Sequence, residues 1–160
     1  MIFVTLGSQK FQFNRLLKEI DRLVENGTIK EEVFAQSGYS NYVPKNYKSK
    51  NFLDRYEFSE IMDRCDKVIT HGGTGAIVTA IKKNKKVIAA PRLKKFNEHI
   101  DDHQIQIVEM FTELNLICGV LNENSLGKVY INIDNVNLEK YISNTKVILD
   151  DINLFLDDLL

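Results

Sequence analysis

Three groups of residues in this chain have types and spacings that do chemistry. The first is Thr70-His71-Gly72-Gly73-Thr74-Gly75, set between the apolar run ending at Thr70 and the periodic run Ala76-Ile77-Val78-Thr79-Ala80-Ile81. A strand that turns through glycines into a helix leaves free backbone N–H groups and the positive end of the helix dipole at the junction. That suits a phosphate or diphosphate. His71 adds a side-chain donor, and Gly72, Gly73 and Gly75 let the backbone approach a ligand without Cβ clashes. The same residues also serve a plain strand–helix connection. The turn is neither GxGxxG nor a P-loop, which removes support for nicotinamide and ATP-hydrolase readings.

The second group is Glu98-His99-Ile100-Asp101-Asp102-His103-Gln104, dense in side chains that bind sugar hydroxyls or move protons. Glu98, His99 and Asp102 are the candidate general bases, and the plainer reading is a solvated loop with Asp101 or Asp102 capping the next helix. Two histidines and three carboxylates offer metal ligands in principle, but no ligand spacing argues for an ion, so no metal is expected. The third group, Arg92, Lys94 and Lys95, suits a donor phosphate, a lipid phosphate or an anionic membrane surface. Gly7-Ser8-Gln9 is a weaker signal, as readily a structural turn as a functional one.

The elements that must position these groups alternate between strand and helix at short spacing, the pattern of a mostly parallel α/β sheet. Strands are expected at Ile2–Leu6, Val33–Gln36, Phe52-Leu53, Lys67–Thr70, Lys86–Ala90 and Ile117–Leu121. Helices are expected on the apolar faces Phe13 to Val24, Phe58 to Cys65, Ala76 to Lys83 and Ile105 to Leu114. Asn84 is a candidate left-handed helix cap. Gly38–Tyr47 and Arg92–Asp102 read as loops, and 122–137 is the least legible stretch. From Leu138 to the end, apolar residues recur at roughly helical spacing, an amphipathic segment over 138–160 suited to core packing or to docking a partner. In open α/β sheets ligands bind beyond the carboxyl ends of the strands where the strand order reverses. The turns after strands one, four and five, which are Gly7–Gln9, His71–Gly75 and Arg92–Gln104, are expected to meet there.

Composition bounds the reading. With 44% hydrophobic and 27% charged residues the 160-residue chain is an ordinary globular protein, long enough for one core. Lys and Arg total 21 against 22 Asp and Glu, a balance that gives no reason to expect nucleic acid. Cys65 and Cys118 read as reduced thiols in a cytoplasmic protein. No apolar run is long enough to span a bilayer. Strand character begins at Met1-Ile2, so neither a targeting segment nor a preceding domain is expected.

Taken together, these residues resemble the nucleotide-sugar-binding half of GT-B glycosyltransferases, of the glycosyltransferase family 28 C-terminal type. The likeness is closest to the small subunits of split exopolysaccharide and capsule glycosyltransferases and to the eukaryotic subunit that makes dolichol-linked chitobiose. Thr70-His71-Gly72-Gly73-Thr74-Gly75 looks like the THxG donor signature of UDP-glycosyltransferases. Pro91-Arg92-Leu93-Lys94-Lys95-Phe96 and Glu98 through Gln104 look like the bacterial split-enzyme version, and Phe3-Val4-Thr5-Leu6-Gly7-Ser8 matches the family's opening strand and turn.

The resemblance implies a Rossmann-like parallel sheet with helices on both faces, a single nucleotide-sugar-binding domain over 1–160. It implies that His71 to Gly75 hold the donor diphosphate and that His103 and Gln104, chiefly Gln104, touch donor-sugar hydroxyls. Thr79 departs from the family, which usually has a Glu there for the ribose hydroxyls. The resemblance further implies a membrane-anchored acceptor-binding partner that recruits this chain to the inner membrane face. A UDP-sugar would be the substrate, with a lipid-linked acceptor and no cofactor. On that basis the chain is expected to be the catalytic donor-binding subunit of a two-chain inverting hexosyltransferase. A non-catalytic nucleotide-binding or stabilising subunit is the alternative, favoured by Thr79, and epimerisation of a UDP-sugar is a third.

Overall fold

In a computed structural model, residues 1–121 and 126–157 are described, and the elements follow the expected alternation. β1 (Ile2–Thr5), α1 (Asn14–Glu25), β2 (Val33–Gln36), β3 (Lys48–Lys50), α2 (Arg55–Arg64), β4 (Lys67–His71) and α3 (Thr74–Lys82) form the first part. β5 (Lys86–Ala90), α4 (His103–Glu113), β6 (Cys118–Gly119), α5 (Leu126–Asn132) and α6 (Thr145–Asp157) complete it. The strands form one wholly parallel sheet in the order β3-β2-β1-β4-β5-β6. The order therefore reverses between β1 and β4, as anticipated. The chain is an α/β protein with a Rossmann-like sheet.

Successive strand residues point to opposite faces, and both faces are covered, so the strands read as nearly continuous apolar runs. Ile2, Val4, Ala35, Ile69 and Ile88 pack under α1 and α5, with Leu16, Leu17, Ile20 and Leu126. Phe3, Val68, Val87 and Ala89 pack on the other face with Met62 of α2, Ile77 and Ala80 of α3 and Val108 and Phe111 of α4.

Three expectations are corrected. The third strand is Lys48–Lys50, not Phe52-Leu53: an exposed edge strand is held by main-chain pairing to β2, with no apolar side chains to announce it. Phe52 instead stacks edge-on against Tyr39, ring centroids 5.1 Å apart. The sixth strand shrinks to Cys118–Gly119. The tail is not helical from Leu138: Glu139 N–H donates to Asn115 O (2.8 Å) and Asn115 Nδ2 to Asn137 O (2.9 Å), which holds the chain extended until α6 starts at Thr145. The illegible stretch contains α5 and a 3₁₀ turn at Ile133–Asn135, while 122–125 lie outside the described residues. Asn84 does take the left-handed conformation after α3, with φ 55°.

α1 carries an element that its apolar periodicity hid. Asp21 is buried, and its carboxylate accepts from Tyr42 Oη (2.6 Å), Lys45 N (2.9 Å) and Asn46 N and Nδ2 (both 2.9 Å). These bonds outweigh desolvation and hold its pKa below the ordinary carboxylate value. They tie the 38–47 loop to α1.

Candidate functional site

The three polar turns meet at the carboxyl ends of β1, β4 and β5. The turn after β1 closes on His71 so tightly that a Cβ on Gly7, at φ +70°, would lie 2.7 Å from His71 Cε1. Arg92 Nη2, beyond β5, donates to Leu6 O (2.6 Å), and Gln9 Oε1 lies 3.0 Å from His99 Nε2. Gln104 Oε1 accepts from Arg92 N (3.1 Å), and a Cβ on Gly72 would strike Gln104 Cβ at 2.8 Å. Ser8 and Gln9 are exposed at the rim.

α3 begins at Thr74 with Gly73 as N-cap and no side-chain cap, and its first helical bond runs from Ile77 N to Gly73 O. The N–H groups of Thr74, Gly75 and Ala76 thus have no acceptor within the helix and sit at the dipole's positive end. The glycines differ in purpose. Gly75 is open, but a Cβ on Gly73 would meet His71 Nε2 at 2.3 Å, so Gly73 makes room for His71 itself rather than for a ligand.

His71 is buried beside this turn. Its Nδ1 lies 3.4 Å from Thr5 O and 3.3 Å from Thr70 Oγ1, and Thr70 Oγ1 also donates to Thr5 O (3.0 Å). A carbonyl oxygen only accepts, so the neutral ring carries its proton on Nδ1 and turns the lone pair of Nε2 toward Gly73. Burial, helped by the nearby Arg92 charge, pushes the pKa down to about 4. His71 therefore gives a hydrogen bond to an anion through Nε2 only by taking up a proton as the anion arrives.

Arg92–Asp102 is largely exposed, as a solvated loop would be, but not throughout. A 3₁₀ turn at Lys94–Phe96 folds it back, and Arg92, Glu98 and His99 are buried. Arg92 separates from exposed Lys94 and Lys95: it is wholly buried, its Nε and Nη1 find no partner among the described residues, and desolvation lowers its pKa to about 10. The Glu98 carboxylate is held by Arg15 Nε (3.0 Å) and Nη2 (2.9 Å) and by Leu93 N (3.0 Å), which fastens the loop to α1. Asp102 Oδ1 accepts from Lys94 N (2.8 Å). Asp102 holds the N-cap position of α4 without a side-chain bond to it, and the Asp101 carboxylate accepts from His103 N (3.2 Å). His99 Nδ1 lies 3.1 Å from Asp101 Oδ1, and His103 Nδ1 closes on the same oxygen. Thr79 is exposed one turn along α3, its hydroxyl donated to Gly75 O (2.7 Å).

Sequence reasoning missed Arg15, on the exposed side of α1, and Asp21, whose signal was a carboxylate among the buried positions of that helix. A groove of about 1190 Å³ opens elsewhere, between α1, Pro91–Phe96 and α5, lined by Arg15, Leu16, Phe96 and Leu126. None of Gly7–Gln9 or His71–Gly75 lines it.

The model of the glycosyltransferase family 28 C-terminal domain matches residues 1–151. The chain belongs to this family. UDP-N-acetylglucosamine transferase subunit ALG13 of Mus musculus is 27% identical over 109 residues, which is 61% of this chain and 9% of that protein. The chain thus corresponds to a small part of that relative's length. The NMR solution structure of ALG13 shares the fold at TM-score 0.60 and 19% identity, over 94% of this chain and 93% of that one. The crystal structure of a kitacinnamycin glycotransferase does so at TM-score 0.58 and 15% identity, over 84% and 34%. Among the described residues no helix is long and apolar enough to cross a membrane.

Proposed function

We propose that this chain is the donor-binding subunit of a two-chain glycosyltransferase that uses a UDP-sugar and acts on a lipid-diphosphate-linked saccharide in surface-polysaccharide synthesis. The observation that carries the reading is the uncapped N-terminus of α3 beside His71, at the reversal of strand order. In this reading the N–H groups of Thr74 to Ala76 hold the diphosphate, and His71, protonated on binding, donates to it. Both stabilise the charge that grows on the leaving diphosphate as the acceptor hydroxyl displaces it with inversion. The donated sugar lies along His103 and Gln104. Gln104 spends Oε1 on Arg92 N and offers its NH₂.

Glu98 is committed to Arg15 and Leu93, which leaves His99 and Asp102 in this chain, or a group of the partner, to take the acceptor's proton. Thr79, engaged with Gly75 O, leaves the ribose without the family's carboxylate. The partner is a membrane-anchored acceptor-binding subunit. α6 is the docking element: Ile148, Ile152 and Phe155 form an apolar stripe, exposed by 48%, 49% and 63%. The relative's name makes UDP-N-acetylglucosamine the first donor to try. Thr79 favours a second reading, a nucleotide-binding subunit that supports a catalytic partner without turning over. Gln104→Ala in the assembled enzyme separates the two: a transferase loses turnover, and a supporting subunit keeps it.

A further inference from the structure

No ligand spacing in the sequence argues for a metal, yet the bend before α4 brings His99, Asp101 and His103 together. One ligand atom from each lies within 4.8 Å of the others. Gln9 Oε1 accepts from His99 Nε2–H (3.0 Å), which leaves Nδ1 directed at Asp101, 3.1 Å from its Oδ1. His103 Nδ1 closes on the same oxygen. Two imidazole nitrogens thus share one carboxylate oxygen, an arrangement in which a cation can take the place of the bridging protons.

We propose that His99 Nδ1, Asp101 Oδ1 and His103 Nδ1 form a site for a first-row divalent cation of the zinc class. Imidazole nitrogen and carboxylate oxygen are ligands that such ions take, and metal bonds of about 2.0–2.2 Å need only a modest spreading of these atoms. The donation from His99 Nε2–H to a neutral oxygen is the outer-shell support that metal-binding histidines ordinarily have. His99 is buried, whereas Asp101 and His103 are about half exposed, so the ion enters from solvent and keeps open positions for water or another ligand oxygen. Bound there, it would lock the 99–103 bend against the Gly7–Gln9 turn. The transfer reaction proposed above calls for no metal, and an ion here would draw His99 and His103 away from the roles given them there.

The test is titration of the metal-free chain with Zn²⁺ by calorimetry, and with Co²⁺ by visible absorption, with circular dichroism to confirm folding. The expected result is one equivalent bound, with Co²⁺ bands that lack thiolate charge transfer and survive Cys118→Ser. Asp101→Asn and His103→Ala abolish binding, and Gln9→Leu weakens it on the order of 10–100-fold. No binding to the folded wild type, binding unchanged in His103→Ala and Asp101→Asn, or loss with Cys118→Ser would each overturn the proposal.

Discussion

His71→Gln removes much of the acid sensitivity of this fold between pH 7.5 and pH 5. His71 is held neutral by burial, with a pKa of about 4 in the folded chain against an ordinary 6.5. The folded value lies below the unfolded one, so the unfolded chain binds the extra proton first. Stability from the neutral ring is complete above pH 6.5 and drains away as pH falls from there toward 4. At pH 5 the unfolded imidazole is almost wholly charged and the folded one about nine-tenths neutral. The difference costs about 2 kcal/mol relative to pH 7.5. Asp21 and Glu31, with lowered pKa values, lose their stabilisation only below their ordinary values of 3.8 and 4.5, outside this window. Glutamine fills similar space and does not titrate. Urea denaturation followed by circular dichroism at both pH values measures the loss in each protein. A wild-type loss about 2 kcal/mol larger than the variant's is expected. Equal losses would refute the burial argument.

Other consequences follow from the same geometry. Arg92→Met removes the positive charge that helps to depress His71, so His71 titrates higher by NMR while staying below 6.5 because burial is the larger cause. Asp21→Ala leaves Tyr42 and the Lys45 and Asn46 amides without their acceptor and costs roughly 2–4 kcal/mol in urea unfolding, with faster amide exchange across the 38–47 loop. Gly73→Ala drives a methyl into His71 Nε2, 2.3 Å away, and displaces the ring. It weakens nucleotide binding measured by calorimetry at least tenfold while the chain stays folded.

Much of this arrangement was legible because the central strands are buried on both faces. β1, β4 and β5 announce themselves as apolar runs, and their closing turns collect the glycines and polar groups that a ligand site at a sheet's carboxyl edge needs. What escaped was set by tertiary contact. The edge strand Lys48–Lys50 exists by main-chain pairing alone, and nothing in Lys-Ser-Lys marks it. Arg92 reads as a surface cation but lies fully buried with its guanidinium on Leu6 O, across 86 positions of sequence. Glu98 reads as a free carboxylate but is claimed by Arg15 of α1. The convergence of His99, Asp101 and His103 depends on a bend whose curvature no periodicity encodes. The role of Gly73 is likewise visible only once His71 is seen packed against it.

The central claim, a UDP-sugar donor site built on His71 and the start of α3, is tested most directly by titrating the folded chain with UDP, ADP and GDP at pH 7.5 and pH 6, beside His71→Ala. The account predicts selective UDP binding that tightens as pH falls, because His71 gains its proton with the diphosphate, and that His71→Ala weakens and makes indifferent to pH. UDP binding that is unaltered by His71→Ala would contradict it.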